Sequence, residues 1–284
     1  MVAALGLVAM AASAVAFDEA LAVRDLQITR ATMCDPGLLE NWTCPSCGSI
    51  PLSEVRVASN ESYDALALTA TEGDDGLCLL TFRGSATPLN YLEDAAFFPT
   101  RPYGSGCPDC AVHSGFYDTW ASVRPQVLAH VEELNCTRLE MTGHSLGGAQ
   151  AALAAFELAA RLPVERLYTY GQPRVGNVAW TANFTALGLD YFRVVNYKDA
   201  VPHLPLSDMF WEGWTHPVPE VYYNATARGM YHVCAGSATD RNCSYQWNLV
   251  ETLLHTCDHC SYLGMDPCAC ADLPPQCEEP RAAS

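Results

Sequence analysis

Basic side chains are scarce: 15 Lys and Arg stand against 32 Asp and Glu, a formal net charge of -17 over 284 residues. Such a chain repels phosphate backbones and anionic membrane surfaces, so nucleic acid is not expected as a partner and a neutral or zwitterionic substrate is favoured. Long apolar runs are missing after residue 16, so no transmembrane anchor is predicted. Internal repeats, low-complexity tracts and flexible interdomain linkers are also absent. The length then suits one large α/β domain with a substantial core, expected over residues 17–284.

Several features point to secretion. Residues 1–16 form an apolar segment ending in Ala14-Val15-Ala16, which reads as a signal peptide with an A-x-A cleavage site, although the basic residues of a usual n-region are lacking. Fourteen cysteines, an even number, suit an oxidising compartment in which thiols pair. Asn-x-Ser/Thr sequons begin at Asn41, Asn60, Asn135, Asn183, Asn224 and Asn242. The expected protein is an extracellular, disulfide-bonded glycoprotein.

The stretch that organises the chain is Thr142-Gly143-His144-Ser145-Leu146-Gly147-Gly148. A serine between glycines at a sharp strand-to-helix turn has its hydroxyl lifted clear of the sheet edge, the arrangement called a nucleophile elbow. Gly-x-Ser-x-Gly alone is a common pattern, so its context decides. Cys136 to Met141 alternates polar and apolar residues as a short strand does, and Gly147 to Ala155 is a small-residue helix able to lie tightly on a sheet. Ser145 is therefore the candidate nucleophile.

Elsewhere, Phe17 to Met33 carries Leu21, Val23, Leu26 and Ile28 at helical spacing, predicting an N-terminal helix packed across the sheet. Ala65–Ala70 and Leu77–Phe82 are β runs separated by Glu72-Gly73-Asp74-Asp75-Gly76, a hairpin signal. The second run ends in Phe82-Arg83-Gly84-Ser85, a turn at the sheet edge where Ser85 can donate to an oxyanion. Tyr117 to Asn135 has a helical pattern, and Arg166–Gly171 and Tyr191–Asn196 are further β runs. Strands alternating with helices imply right-handed βαβ units and a mostly parallel central sheet.

A neutral serine hydroxyl is a poor nucleophile, so Ser145 requires a histidine base and a carboxylate that orients it. In elbow architectures the chain order is Ser, then Asp or Glu, then His. Asp199, just beyond the Tyr191–Asn196 strand, has the expected position for the carboxylate, whereas Asp190 precedes that strand and Asp208 lies in a loop. Five histidines follow: His203, His216, His232, His255 and His259. Position alone does not select among them.

Four segments together resemble the fungal-type class 3 lipases: Phe82-Arg83-Gly84-Ser85, Gly143-His144-Ser145-Leu146-Gly147-Gly148, Gly171-Gln172-Pro173-Arg174-Val175-Gly176-Asn177 and Asp199-Ala200-Val201-Pro202-His203-Leu204-Pro205. The resemblance runs in order through most of residues 17–270. It implies an α/β-hydrolase-like fold, with a mostly parallel sheet flanked by helices, and a class 3 lipase-like catalytic domain with a disulfide-rich C-terminal tail. The implied activity is a serine carboxylester hydrolase, foremost a lipase cleaving acylglycerols through an acyl-enzyme on Ser145. A feruloyl-type, phospholipid or galactolipid esterase and an inactive hydrolase-fold binding protein are the alternatives.

The family's histidine lies in an Asp-His-x-x-Tyr segment, which Asp258-His259-Cys260-Ser261-Tyr262 resembles, so His259 is the implied base. The oxyanion hole maps onto Ser85 and the backbone N–H of Leu146. His216 to Tyr223 resembles a structural strand, and Ser85 to Phe98 occupies the lid position, with Leu89, Leu92 and Ala96 at helical spacing. Bridges Cys44–Cys47, Cys107–Cys110 and Cys234–Cys243 are implied, with Cys34 joined to Cys268 or Cys270. His255, Cys257, Asp258, His259 and Cys260 are potential metal ligands, but thiolate sites need reduced cysteines and a secreted chain favours disulfides. No metal and no cofactor are expected, and the protein is expected to act as a monomer on a lipid or other ester, at a lipid–water interface in the lipase case.

Overall fold

Why the chain folds as it does is clearest in the continuous apolar runs, which form the middle of a sheet covered on both faces. The structure, a computed structural model, describes residues 16–48, 50–73, 75–85, 98–224 and 228–271. Residues 1–15 of the expected signal peptide, 86–97 of the expected lid and 272–284 of the tail lie outside the described residues.

The main sheet holds β1 (Ser53–Asn60), β2 (Ala65–Thr71), β3 (Leu77–Phe82), β6 (Arg138–His144), β7 (Val164–Tyr170), β9 (Asp190–Asn196), β11 (Glu220–Tyr223) and β12 (Tyr231–Cys234), in that spatial order. Strands β3, β6, β7, β9 and β11 run parallel to one another, while β1, β2 and β3 pair antiparallel at one edge and β12 is antiparallel to β11 at the other. This is the α/β architecture expected, with the hairpin at residues 65–82 in place. A second, small antiparallel sheet joins β4 (Pro99–Thr100), β5 (Val112–His113), β8 (Gly176–Asn177) and β10 (Trp214–Thr215). The segment resembling a structural strand is only half strand: Glu220 to Tyr223 enter the main sheet, whereas His216 to Pro219 form the approach to it.

One face of the sheet is covered by the helix Glu19–Ala31, whose N-cap Asp18 carboxylate accepts from the N–H groups of Ala20 and Leu21. Its Ala22 and Leu26 pack on Tyr168, Tyr170, Phe192 and Val194, and the Thr29 hydroxyl meets those of Thr81 and Thr142 at 3.3 and 3.1 Å. On the opposite face the helices Ser114–Glu133 and Leu146–Leu158 bury Trp120, Val123 and Val127 together with Ala151, Ala152, Ala154 and Ala155 against Phe82, Leu139 and Met141. Alanine on the second helix is what lets it lie close to the strands.

Six disulfides join described cysteines. Cys44–Cys47, Cys107–Cys110 and Cys234–Cys243 appear as implied, and Cys34 pairs with Cys270 rather than Cys268. Cys78–Cys136 ties β3 to the entry of β6, and Cys260–Cys268 closes the turn after His259. Among the described residues no helix is long and apolar enough to cross a membrane.

Candidate active site

Parallel strands place their C-terminal ends along one edge, and Ser85, Ser145 and Asp199 leave from that edge. Phe82 of β3 pairs with Gly143 of β6, and His144 pairs with Tyr170 of β7, so the segments after residues 82, 144, 170 and 196 emerge side by side.

Ser145 is buried and sits in the left-handed region at φ 57°, ψ -126°, between β6 and the helix Leu146–Leu158. Its N–H still donates to the Tyr170 carbonyl at 2.9 Å, which holds the turn against β7 while the backbone reverses. A side chain costs energy in this conformation, and such strain persists only where the surroundings enforce it. The enforcement comes from close backbone packing: a Cβ at Gly147 would overlap the Phe82 carbonyl, so only glycine lets the helix start press against the end of β3. That approach puts Gly84, the residue before Ser85, beside the elbow, where an added Cβ would lie 3.5 Å from the Ser145 Cβ. Ser85 is itself buried. Leu146 opens the helix, so its N–H belongs to the first turn, which has no intrahelical acceptor.

Asp199 and His259 are brought together. Both are buried, and His259 Nδ1 lies 3.0 and 2.9 Å from the two Asp199 carboxylate oxygens. His259 Nε2 has no hydrogen-bond partner among the described residues, so the Ser145–His259 hydrogen bond is not formed in this structure. Asp199 Oδ1 accepts from the Val201 N–H at 2.9 Å, and Oδ2 accepts from the Tyr262 hydroxyl. Burial and the Asp199 charge hold the Tyr262 hydroxyl well above its ordinary pKa, so it remains a donor.

His259 is delivered from 60 residues beyond Asp199 by contacts that reach back to β9 and β6. The Asn196 amide donates to the Asp258 carbonyl at 3.1 Å, and the Lys198 N–H donates to the Asp258 carboxylate at 3.3 Å. His144 Nε2–H donates to the His259 carbonyl at 2.8 Å, with the two rings 4.4 Å apart. Burial, then the neighbouring His259, push the His144 pKa well below its usual value, so this ring stays neutral. Gly171 closes the floor. Its φ of +55° suits glycine, and a Cβ there would lie 2.8 Å from Asp199 Oδ2 and 3.0 Å from the His259 ring.

The other histidines sit elsewhere. His203 is buried, its carbonyl accepts from Arg174, and burial lowers its pKa to about 4. His216 donates through Nε2 to the Pro202 carbonyl at 2.8 Å, and His255 lies 3.8 Å from Asp258. Cys257 and Cys260 are disulfide-bonded and present no thiolate beside His259. The anchors Tyr262, Val201, His144 and Gly171 carry no assigned role in the sequence reading. All four stand inside the segments that carry the family resemblance, which is the only signal the sequence offers for them.

Residues 79–209 match the family model for Lipase (class 3). A lipase of Rhizomucor miehei is 32% identical over 240 residues, covering 81% of this chain and 64% of that protein. A secreted mono- and diacylglycerol lipase A of Penicillium cyclopium is 36% identical over 164 residues, covering 56% of this chain and 52% of that protein. The chain thus spans less than two thirds of these curated relatives. Against solved structures, a fungal lipase in complex with an inhibitor superposes with a TM-score of 0.70 at 30% identity, over 89% of this chain and 98% of that one. With the elbow, the paired Asp199 and His259 and these likenesses in hand, the chain belongs to the class 3 lipase family.

Proposed function

We propose that residues 17–284 form one catalytic domain, a secreted serine carboxylester hydrolase that cleaves acylglycerol esters through an acyl-enzyme on Ser145. The observation that carries this reading is the Asp199 carboxylate seated on Nδ1 of a buried His259 whose Nε2 is free to accept a proton, on the sheet edge where Ser145 stands in a strained turn. The names of the relatives support the acylglycerol class.

In the forward step Ser145 Oγ attacks the ester carbonyl carbon as its proton passes to His259 Nε2, and Asp199 stabilises the imidazolium so formed. The carbonyl oxygen becomes an oxyanion, met by the N–H of Leu146 and by Ser85, each donor contributing on the order of 3 kcal/mol to the transition state. Collapse expels the alkoxide, which takes the proton from His259 and leaves as the alcohol. Water then repeats the cycle on the acyl-enzyme, releasing the fatty acid and restoring Ser145.

A fluorophosphonate probe should label the wild type and fail to label Ser145→Ala. A panel of diacylglycerol, triacylglycerol, phospholipid, galactolipid and feruloyl esters then reads the substrate class. Labelling that persists in Ser145→Ala removes the nucleophile assignment, and wild-type protein inert to probe and panel alike would be a binding protein.

Gly171→Ala should lower kcat on a soluble ester by roughly 100-fold, because the added methyl displaces the Asp199–His259 pair by a fraction of an ångström to about 1 Å. The forced left-handed alanine should also cost about 1 kcal/mol of stability. Steady-state kinetics beside a thermal melt tests both, and unchanged kcat would mean that the pair tolerates the displacement.

A further inference from the structure

Past Asp199 the chain runs into β10, which pairs with β8 shortly after the C-terminal end of β7, and on that approach it holds an aromatic group in water. Trp211 is 96% exposed, Phe210 is 41% exposed and Phe98, whose ring lies 5.5 Å from that of Phe210, is 58% exposed. The exposure is built rather than loose. Phe210 and Trp211 both have φ of 56°, a left-handed backbone that bulky residues avoid. The loop is nevertheless fastened: the Met209 N–H donates to Leu206, the Trp211 N–H to Asp208, and the Trp214 indole N–H to the Met209 carbonyl at 2.9 Å. Arg101, just after β4, grips both carboxylate oxygens of Glu212 at 2.8 and 3.0 Å. Strain kept by this many contacts, with its result a fully exposed indole, calls for an occupant.

We propose that Phe210, Trp211 and Phe98 form a fixed wedge that docks the protein on a surface of uncharged lipid, holding the Ser145 edge against it. The proposal rests on the ester-lipid reading above and adds the place where the surface is met. Three aromatic side chains bury about 150–250 Å² each, short of the ~800 Å² per partner that a stable dimer needs, and a copy carrying the same charge of -17 would repel. A lipid interface needs no such area, since indole and phenyl rings partition there singly. The negative charge selects neutral or zwitterionic headgroups over anionic ones.

The test measures binding without turnover, in the Ser145→Ala background, to phosphatidylcholine vesicles containing diacylglycerol. Adding Trp211→Ser and Phe210→Ser should lower the vesicle partition coefficient by about tenfold or more, while Trp211→Phe keeps most of it. Brominated acyl chains should quench part of the emission of the six tryptophans, and that part should vanish in Trp211→Phe. Thermal midpoints and circular dichroism show that each variant is folded. Equal partition in the double-serine variant, binding absent in the parent, or a parent dimer lost in that variant would each overturn the wedge. Failure of the ester-lipid reading shows separately, as wild-type protein that leaves acylglycerols intact in the substrate panel.

Discussion

Ser145→Ala, Asp199→Asn and His259→Ala are each expected to lower kcat by roughly 10⁴- to 10⁶-fold while the protein stays folded, and combining them should add little. Non-additivity follows from the mechanism, because a base without a nucleophile, or a nucleophile without a base, has nothing left to act on. Asp199→Asn is the most informative of the three. The carboxylate accepts from His259 Nδ1–H, the Val201 N–H and the Tyr262 hydroxyl, so every neighbour is a donor. An asparagine offers one oxygen and one NH₂ in its place. Whether the oxygen stays with Val201 or with Tyr262, the NH₂ takes the other position, also within 3.0 Å of His259 Nδ1, where it can donate to the ring and select the tautomer with its proton on Nε2, which cannot accept from Ser145. Kinetics on a soluble short-chain ester, beside circular dichroism, checks all three variants. Near-normal turnover in His259→Ala, with the loss appearing in His203→Ala or His255→Ala, would remove His259 as the base.

How much of this was legible in the sequence differs between residues for physical reasons. Ser145 and Asp199 are candidates on local signals, a glycine-flanked turn and a position just past a strand, both of which the chain writes in consecutive residues. His259 is not, since five histidines satisfy the chain order and only likeness to a family separates them. Its setting depends on contacts that span long separations: Tyr262 reaches Asp199 across 63 residues, and His144 reaches the His259 carbonyl across 115. No periodicity encodes such pairs. The reason for Gly171 is not local either, since it is the space that Asp199 and His259 occupy.

The fold shows the same division. Central strands β2 and β3 announce themselves through unbroken apolar runs, but β1 and β12 are edges with much exposed surface, and β1 carries a register shift between Ser53 and Arg56. The alternation that marks a half-buried strand is confined to Glu54-Val55-Arg56-Val57 in β1, and β12 has only four residues to carry it. The small sheet has strands of two residues, too short for any pattern. Cys78–Cys136 was likewise hidden, since it depends on β3 and β6 lying side by side.

Removing the Cys34–Cys270 bridge by paired serine substitution should cost up to about 5 kcal/mol, the largest stability loss expected from any single bridge here. The two cysteines are 236 positions apart, so the bridge constrains the unfolded chain more than any other described disulfide. The other bridges short-cut that loop to roughly 160 residues, but the logarithmic dependence on length makes this a change of only about 0.3 kcal/mol. Native contacts act with it: Arg30 Nε donates to the Ala269 carbonyl at 3.2 Å, and the Ser46 hydroxyl donates to that of Cys270. By the same reasoning Cys44–Cys47, with a separation of 3, should contribute only about 2 kcal/mol. For a domain of this size 5 kcal/mol corresponds to a midpoint lower by roughly 8 °C. Thermal and denaturant unfolding of the two double-serine variants side by side provides the test, and a Cys34→Ser, Cys270→Ser protein as stable as the Cys44→Ser, Cys47→Ser protein would show that the long bridge does not hold the chain ends in the unfolded state.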